Sequence, residues 1–103
     1  MFTSIPNTLT PAEMERLLAD RLKNLRLQAG YKRTTLANRS GVTVSSLKRF
    51  ETTGQVSLKN LLRLAHALEQ LPEFAELFIP PRATSLAELR TRAVKTLPKR
   101  GRI

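Results

Sequence analysis

Apolar positions along the chain recur at the three- and four-residue spacing of helices, in blocks separated by glycine, proline and short polar turns. Met14, Leu18, Leu22, Leu25 and Ala29, widened by Leu17, make one face of a first helix over about 11–29. Thr10-Pro11-Ala12-Glu13 in front of it reads as a capping box with proline at the first helical position. Gly30 suits the place just past its end. A short second helix fits Arg33 to Arg39, with Leu36 and Ala37 facing inward; Ser40-Gly41 breaks it and Val42 plugs the turn. Thr43 caps a third helix through about Thr52, with Leu47 and Phe50 as its buried positions. After Thr53-Gly54-Gln55, Ser57 caps a fourth helix carrying Leu58, Leu61, Leu62, Ala65 and Leu68. Pro72 opens a short fifth helix with Phe74, Leu77 and Phe78, stopped by Pro80-Pro81. No strand signal or internal repeat interrupts this reading, which predicts an all-α domain.

Its domain boundaries follow from the same pattern: an N-terminal arm over 1–10, a helical domain over 11–79 and a tail over 80–103. Ser85-Leu86-Ala87-Glu88 repeats the capping-box pattern and would open a short helix to about Leu97, but the apolar face there is thin and weak order is expected. The chain of 103 residues has room for one compact domain with tails. Aromatic residues are only 5% of it, so leucine and alanine must build the core. There is no cysteine, hence no disulfide framework and no thiolate metal site. The first ten residues lack the basic-then-apolar pattern of a secretory leader, and no apolar run is long enough to cross a bilayer. A cytoplasmic protein is expected.

Charge changes the picture more than composition does. The net charge is +10, and it is segregated. Between Arg21 and Arg63 ten basic residues face Glu51 alone, whereas Leu64 to Pro81 holds three glutamates and no basic side chain. Arg82 to Ile103 has seven basic residues against Glu88. Solubility alone does not require such segregation; a surface for a polyanion does, with nucleic acid the first candidate. An anionic membrane surface is the poorer partner, because a well-defined helical core leaves no free amphipathic face except in the tail. Catalysis has little to work with. His66, the single histidine, sits in a leucine-rich helix, and no spacing of Ser, Asp or Glu suggests a triad, a paired-carboxylate site or a metal site. The chain is therefore expected not to be an enzyme and to need no cofactor.

Two short helices joined at Ser40-Gly41-Val42-Thr43 are the helix-turn-helix pattern: Gly41 permits the reversal, and Val42 and Leu36 pin the helices together. The exposed face of the third helix could then enter a major groove about 12 Å wide. Beyond this, the stretches LADRLKNLRLQAG, TTLANRSGVTVSSLKRFETTG and SLKNLLRLAHAL, set between about Leu18 and Leu77, resemble the Cro/repressor-type (XRE-like) helix-turn-helix family. The resemblance implies a compact five-helix, lambda-repressor-like DNA-binding domain that binds palindromic operators as a homodimer. It further implies that Arg26 and Glu51 form a structural ion pair and that Val44, Ser45 and Arg49 read bases. The glutamine that commonly begins the second helix in that family is replaced by Arg33.

On chemistry alone Arg49 is the strongest reader, since arginine can bond bidentately to guanine O6 and N7; Val44 could meet a thymine methyl, and serine discriminates little. Lys32, Arg33, Thr34, Thr43, Ser46, Lys48 and Lys59 are candidates for phosphate contact, informative as a cluster more than singly. The acidic, apolar fifth-helix segment suggests a dimer interface made by Leu71, Phe74 and Phe78. The stretch FIPPRATSLAELRTRAVKTLPKRGRI resembles the tails of HipB-like regulators, which are encoded with HipA-type kinase toxins. That resemblance implies a repressor of its own toxin–antitoxin operon or, as the alternative, an antitoxin acting mainly by sequestering a kinase toxin.

Overall fold

The computed structural model describes residues 9–80; the arm before Leu9 and the tail from Pro81 onward, with its expected short helix, lie outside the described residues. Five helices follow in order: α1 (Pro11–Gln28), α2 (Arg33–Ser40), α3 (Val44–Thr53), α4 (Leu58–Ala67) and α5 (Leu71–Ala75). No strand occurs among the described residues.

Local chemistry sets most of these boundaries. At the start of α1 the Thr10 hydroxyl accepts from the Glu13 amide at 3.1 Å, and the Glu13 carboxylate accepts from the Thr10 amide at 2.9 Å. Those bonds to Thr10 hold the Glu13 carboxyl below its ordinary range, since they favour the charged form. The end of α1 is a Schellman turn: the Tyr31 amide donates to Arg26 O (3.1 Å) and the Gly30 amide to Leu27 O (3.0 Å). Thr43 and Ser57 cap α3 and α4 by accepting from the amides of Ser46 and Asn60.

The core is one cluster of Ala19, Leu22, Leu36, Val42, Leu47, Phe50 and Leu64, flanked by partly buried Leu18, Tyr31, Val56, Leu61, Ala67 and Leu68. α1 packs on α3, α2 on both α3 and α4, and α5 on α4. Leu36, Ala37, Val42, Leu47 and Phe50 are buried, in the places their spacing predicts.

Three expectations need correction. The inner face of α1 runs through Ala19, Leu22 and Arg26, while Met14 and Ala29 are exposed. A buried arginine takes a place that apolar periodicity alone cannot assign. In α4 Leu64 is fully buried and Leu58, at 67% exposure, faces solvent in the first turn. The fifth helix stops at Ala75, five residues before Pro80. Phe78 lies beyond it with φ at +64° and its side chain 97% exposed, so it is not a helix-face residue.

One ionic cluster ties α1, α2 and α3 together. Arg26 donates from Nε to Glu51 Oε2 at 2.7 Å and from Nη2 to Oε1 at 3.0 Å, and from Nη1 to the Tyr31 carbonyl at 2.9 Å. Arg33 donates from Nε to Glu51 Oε1 at 3.0 Å. The Arg26 and Glu51 side chains are only 7% and 1% exposed, so the pair works at low dielectric, whereas Arg33 is 34% exposed. Among the described residues no buried side-chain polar atom lacks a partner. A second clamp comes from Arg16 in α1, which donates to the carbonyls of Glu51 (2.6 Å) and Thr52 (2.9 Å) and is braced by Asp20 at 3.0 Å. These are carbonyls in the last turn of α3, which the helix itself leaves without amide partners.

Gly54 ends α3 where α1 comes close. Its φ is +82°, and a Cβ there would lie 3.0 Å from Glu15 Cβ and 3.1 Å from the Glu15 carbonyl carbon. Gly41, at φ +77°, has nothing within 4 Å of the same point. Gly41→Ala should therefore cost only the left-handed strain, about 1–2 kcal/mol, while Gly54→Ala should cost more, because α1 backbone must move. Thermal unfolding tests the order, at about 4–8 °C per kcal/mol for a domain of this size.

Arg26→Ala should destabilise the fold by about 3–5 kcal/mol, since it strips a buried carboxylate of its bidentate partner. Arg33→Ala should cost markedly less, its guanidinium being partly solvated. Urea midpoints of the two variants decide this, and equal losses would contradict it.

Candidate nucleic-acid interface

α3 has two chemically distinct sides. Leu47, Phe50 and Glu51 face the core, and the intervening positions Val44, Ser45, Lys48, Arg49 and Thr52 are exposed. At 100° per residue, positions 44, 45, 48, 49 and 52 fall on one outward stripe. This stripe bears an apolar contact group, two hydroxyls and two cations and has no acidic side chain. The residues expected to read bases, Val44, Ser45 and Arg49, therefore share one outward face of one helix.

The first turn of α3 is held by hydroxyl bonds. Thr43 Oγ1 accepts from the Ser46 amide at 3.1 Å, donates to Ser46 Oγ at 2.9 Å and lies 3.3 Å from Ser45 Oγ. Thr43 and Ser46, both expected at phosphates, thus already serve the cap. The opposite situation holds at α2. Its N-cap Lys32 makes no side-chain cap bond, so the first amides of α2 have no side-chain acceptor, and Lys32 and Thr34 are exposed beside them. Arg33 is spoken for at Nε by Glu51, a partner the sequence reading did not give it. Lys48 and Lys59 are exposed, Lys59 in the first turn of α4.

Two residues at this surface escaped the sequence reading. Gln55 accepts a 2.6 Å bond from Arg49 Nη2 through its side-chain oxygen. With Ser46, Arg49, Val56, Ser57 and Asn60 it lines a shallow, open depression between α3 and the start of α4. Asn60, half-buried, completes that rim. A glutamine in a Thr-Gly-Gln loop carries no periodic or charge signal, so only the fold brings it to Arg49.

The remaining candidates lie elsewhere. Leu71 and Phe74 are half-buried on α5, and Phe78 is outside that helix. His66 is exposed in the last turn of α4. Among the described residues no group of His, Cys, Asp or Glu could hold a metal ion, and no helix is long and apolar enough to cross a membrane.

The comparisons with known proteins agree with the geometry at the level of the domain. Residues 17–77, more than half of the chain, match the family described as a helix-turn-helix domain. That span runs from the middle of α1 to just past α5 and contains every element of the interface. No curated protein and no solved structure gives a match to the chain. Domains of this kind are typically not enzymes; they bind DNA through the second helix of the pair. With α2 and α3 joined at a left-handed Gly41 and a cationic outer stripe on α3, the chain belongs to the helix-turn-helix domain family of DNA-binding regulators.

Proposed function

We propose that the protein is a sequence-specific transcriptional repressor that binds a two-fold symmetric operator as a homodimer. The observation that carries the reading is the outward stripe of α3, with Val44, Ser45, Lys48 and Arg49 held on a helix whose inner side is locked to α1 and α2. In this reading α3 enters the major groove and Arg49 bonds a guanine edge. Val44 meets a thymine methyl, and Ser45 adds an adaptable bond. Lys48 and Lys59, with Lys32 and Thr34 at the uncapped start of α2, take phosphates. Thr43 and Ser46 contribute to that backbone contact through the hydroxyls that cap α3. Arg33 serves both sides, with Nε on Glu51 and its outer guanidinium nitrogens toward the DNA backbone.

Pairing is supported by the apolar surface that follows α5. Leu77, Phe78 and Ile79 are exposed and follow half-buried Leu71 and Phe74 along the chain. Two copies related by a two-fold axis could cover it on both sides at once and would set half-site centres about 34–36 Å apart. The resemblance of residues 78–103 to HipB-like regulators supports placing the repressor in a toxin–antitoxin operon. A kinase-type toxin encoded beside it would be its second partner, and co-purification of the two gene products from one transcript tests that part.

Arg49→Ala should lower affinity for the operator by about 1–3 kcal/mol and relax preference at one base position. Lys48→Ala should weaken binding to all duplexes alike and reduce the slope of log affinity against log salt by nearly one unit. Anisotropy titrations on specific and random duplexes over a salt series separate the two. Equal losses on both duplexes in Arg49→Ala would remove it from the reading set.

Phe78→Ser should give a monomer at concentrations where the parent sediments as a dimer, and it should still fold, with a melting temperature that no longer depends on protein concentration, since Phe78 contributes nothing to the core. A parent protein that sediments as a monomer both free and on DNA would contradict the dimer.

A further inference from the structure

The C-cap of α3, Gly54, brings Gln55 back against the helix. Thr53 Oγ1 donates to the Arg49 carbonyl at 2.6 Å and accepts from the Gln55 amide at 3.1 Å. The Gly54 amide donates to Phe50 O at 2.8 Å, and Gly54 takes a left-handed φ of +82°, its α-carbon too close to Glu15 for a side chain. Between them these bonds fix the backbone of Gln55 under the last turn of α3. The Gln55 side-chain oxygen then accepts from Arg49 Nη2 at 2.6 Å. Both side chains are exposed, so this bond is not needed to satisfy a buried group.

We propose that Gln55 is a positioning residue for base recognition: it holds the Arg49 guanidinium in the plane and at the distance at which its remaining donors face the groove. This rests on Arg49 being the base reader. An arginine side chain has several freely turning bonds and five N–H donors in a rigid fork. Bonding one donor to an acceptor whose backbone is anchored narrows the range of the other donors, so less side-chain freedom is lost when the guanine contact forms. Thr53 sets the Gln55 backbone through its bonds on either side, and Gly54 allows the reversal. The consequence is specificity written partly in a loop that touches no base.

The test uses the full chain and an operator recovered by in vitro selection from a random duplex library. Discrimination at each base pair is then measured for the parent and for Arg49→Ala, Gln55→Ala, Gln55→Glu and the Arg49→Ala/Gln55→Ala double variant, with melting curves to show that each folds. Arg49→Ala should lower discrimination at one base pair by about tenfold or more. Gln55→Ala should lower it several-fold at that same base pair, leave affinity for random duplex unchanged, and add nothing in the Arg49→Ala background. Gln55→Glu keeps an acceptor oxygen, so it should preserve the preference at that base pair while its charge weakens binding to every duplex. An independent loss from Gln55→Ala in the Arg49→Ala background would overturn the proposal, because it would make Gln55 a direct DNA contact. So would loss of affinity without loss of discrimination. If Arg49→Ala leaves every base preference intact, the base-reading assignment fails first and this proposal falls with it, a result distinct from the two above.

Discussion

Glu51 is a carboxylate almost wholly removed from water, and the only acidic side chain between Arg21 and Arg63. Desolvating it is affordable only because Arg26 meets it with two parallel bonds and Arg33 with a third, while Arg26 spends its remaining nitrogen on the Tyr31 carbonyl. Those contacts join the last turn of α3 to the end of α1, the turn after it and the start of α2. Turning α3 about its axis would break these bonds as well as the packing of Leu47 and Phe50. The direction of the outward stripe therefore depends on a polar contact at the flank of the same helix as well as on its apolar side.

Arg16 supplies the complementary restraint along the axis. By donating to the Glu51 and Thr52 carbonyls it places a cation at the negative end of the α3 dipole and binds that end to α1. Gly54 lets α1 approach closely enough for this. The last turn of α3 is thus held twice, by its Glu51 side chain and by its carbonyls, and α1, the longest helix, is the frame for both.

Much of this was legible in the sequence, and the exceptions share a cause. Caps and breakers act over three or four residues, so Thr10, Glu13, Gly30, Thr43 and Ser57 could be placed from spacing alone. Leu36, Val42, Leu47 and Phe50 could be assigned to the core because α2 and α3 are short and their apolar residues few. Leucine-rich α1 and α4 offer more apolar residues than the core accepts, so their exposed leucines and the buried Leu64 could be sorted only by the neighbours they meet. Arg33, Arg16 and Gln55 owe their contacts to residues 18, 35 and 6 positions away along the chain. The first two partners are brought near by tertiary packing and the third by a left-handed glycine turn, and periodicity reports neither. The end of α5 was misplaced because prolines at 80 and 81 mark where a helix must have stopped, not where it does.

The same division of labour on α3 has a bearing on how such a protein diverges. The groups that hold the helix are on its inner side or at its ends, and Val44, Ser45 and Lys48 make no side-chain contribution to the core. Substitutions there leave the folding free energy nearly untouched, as is usual for surface positions. A duplicated copy could therefore acquire a new target sequence by changing a few exposed side chains, without first gaining stability to offset the change. The frame would be inherited intact while the reading face drifts.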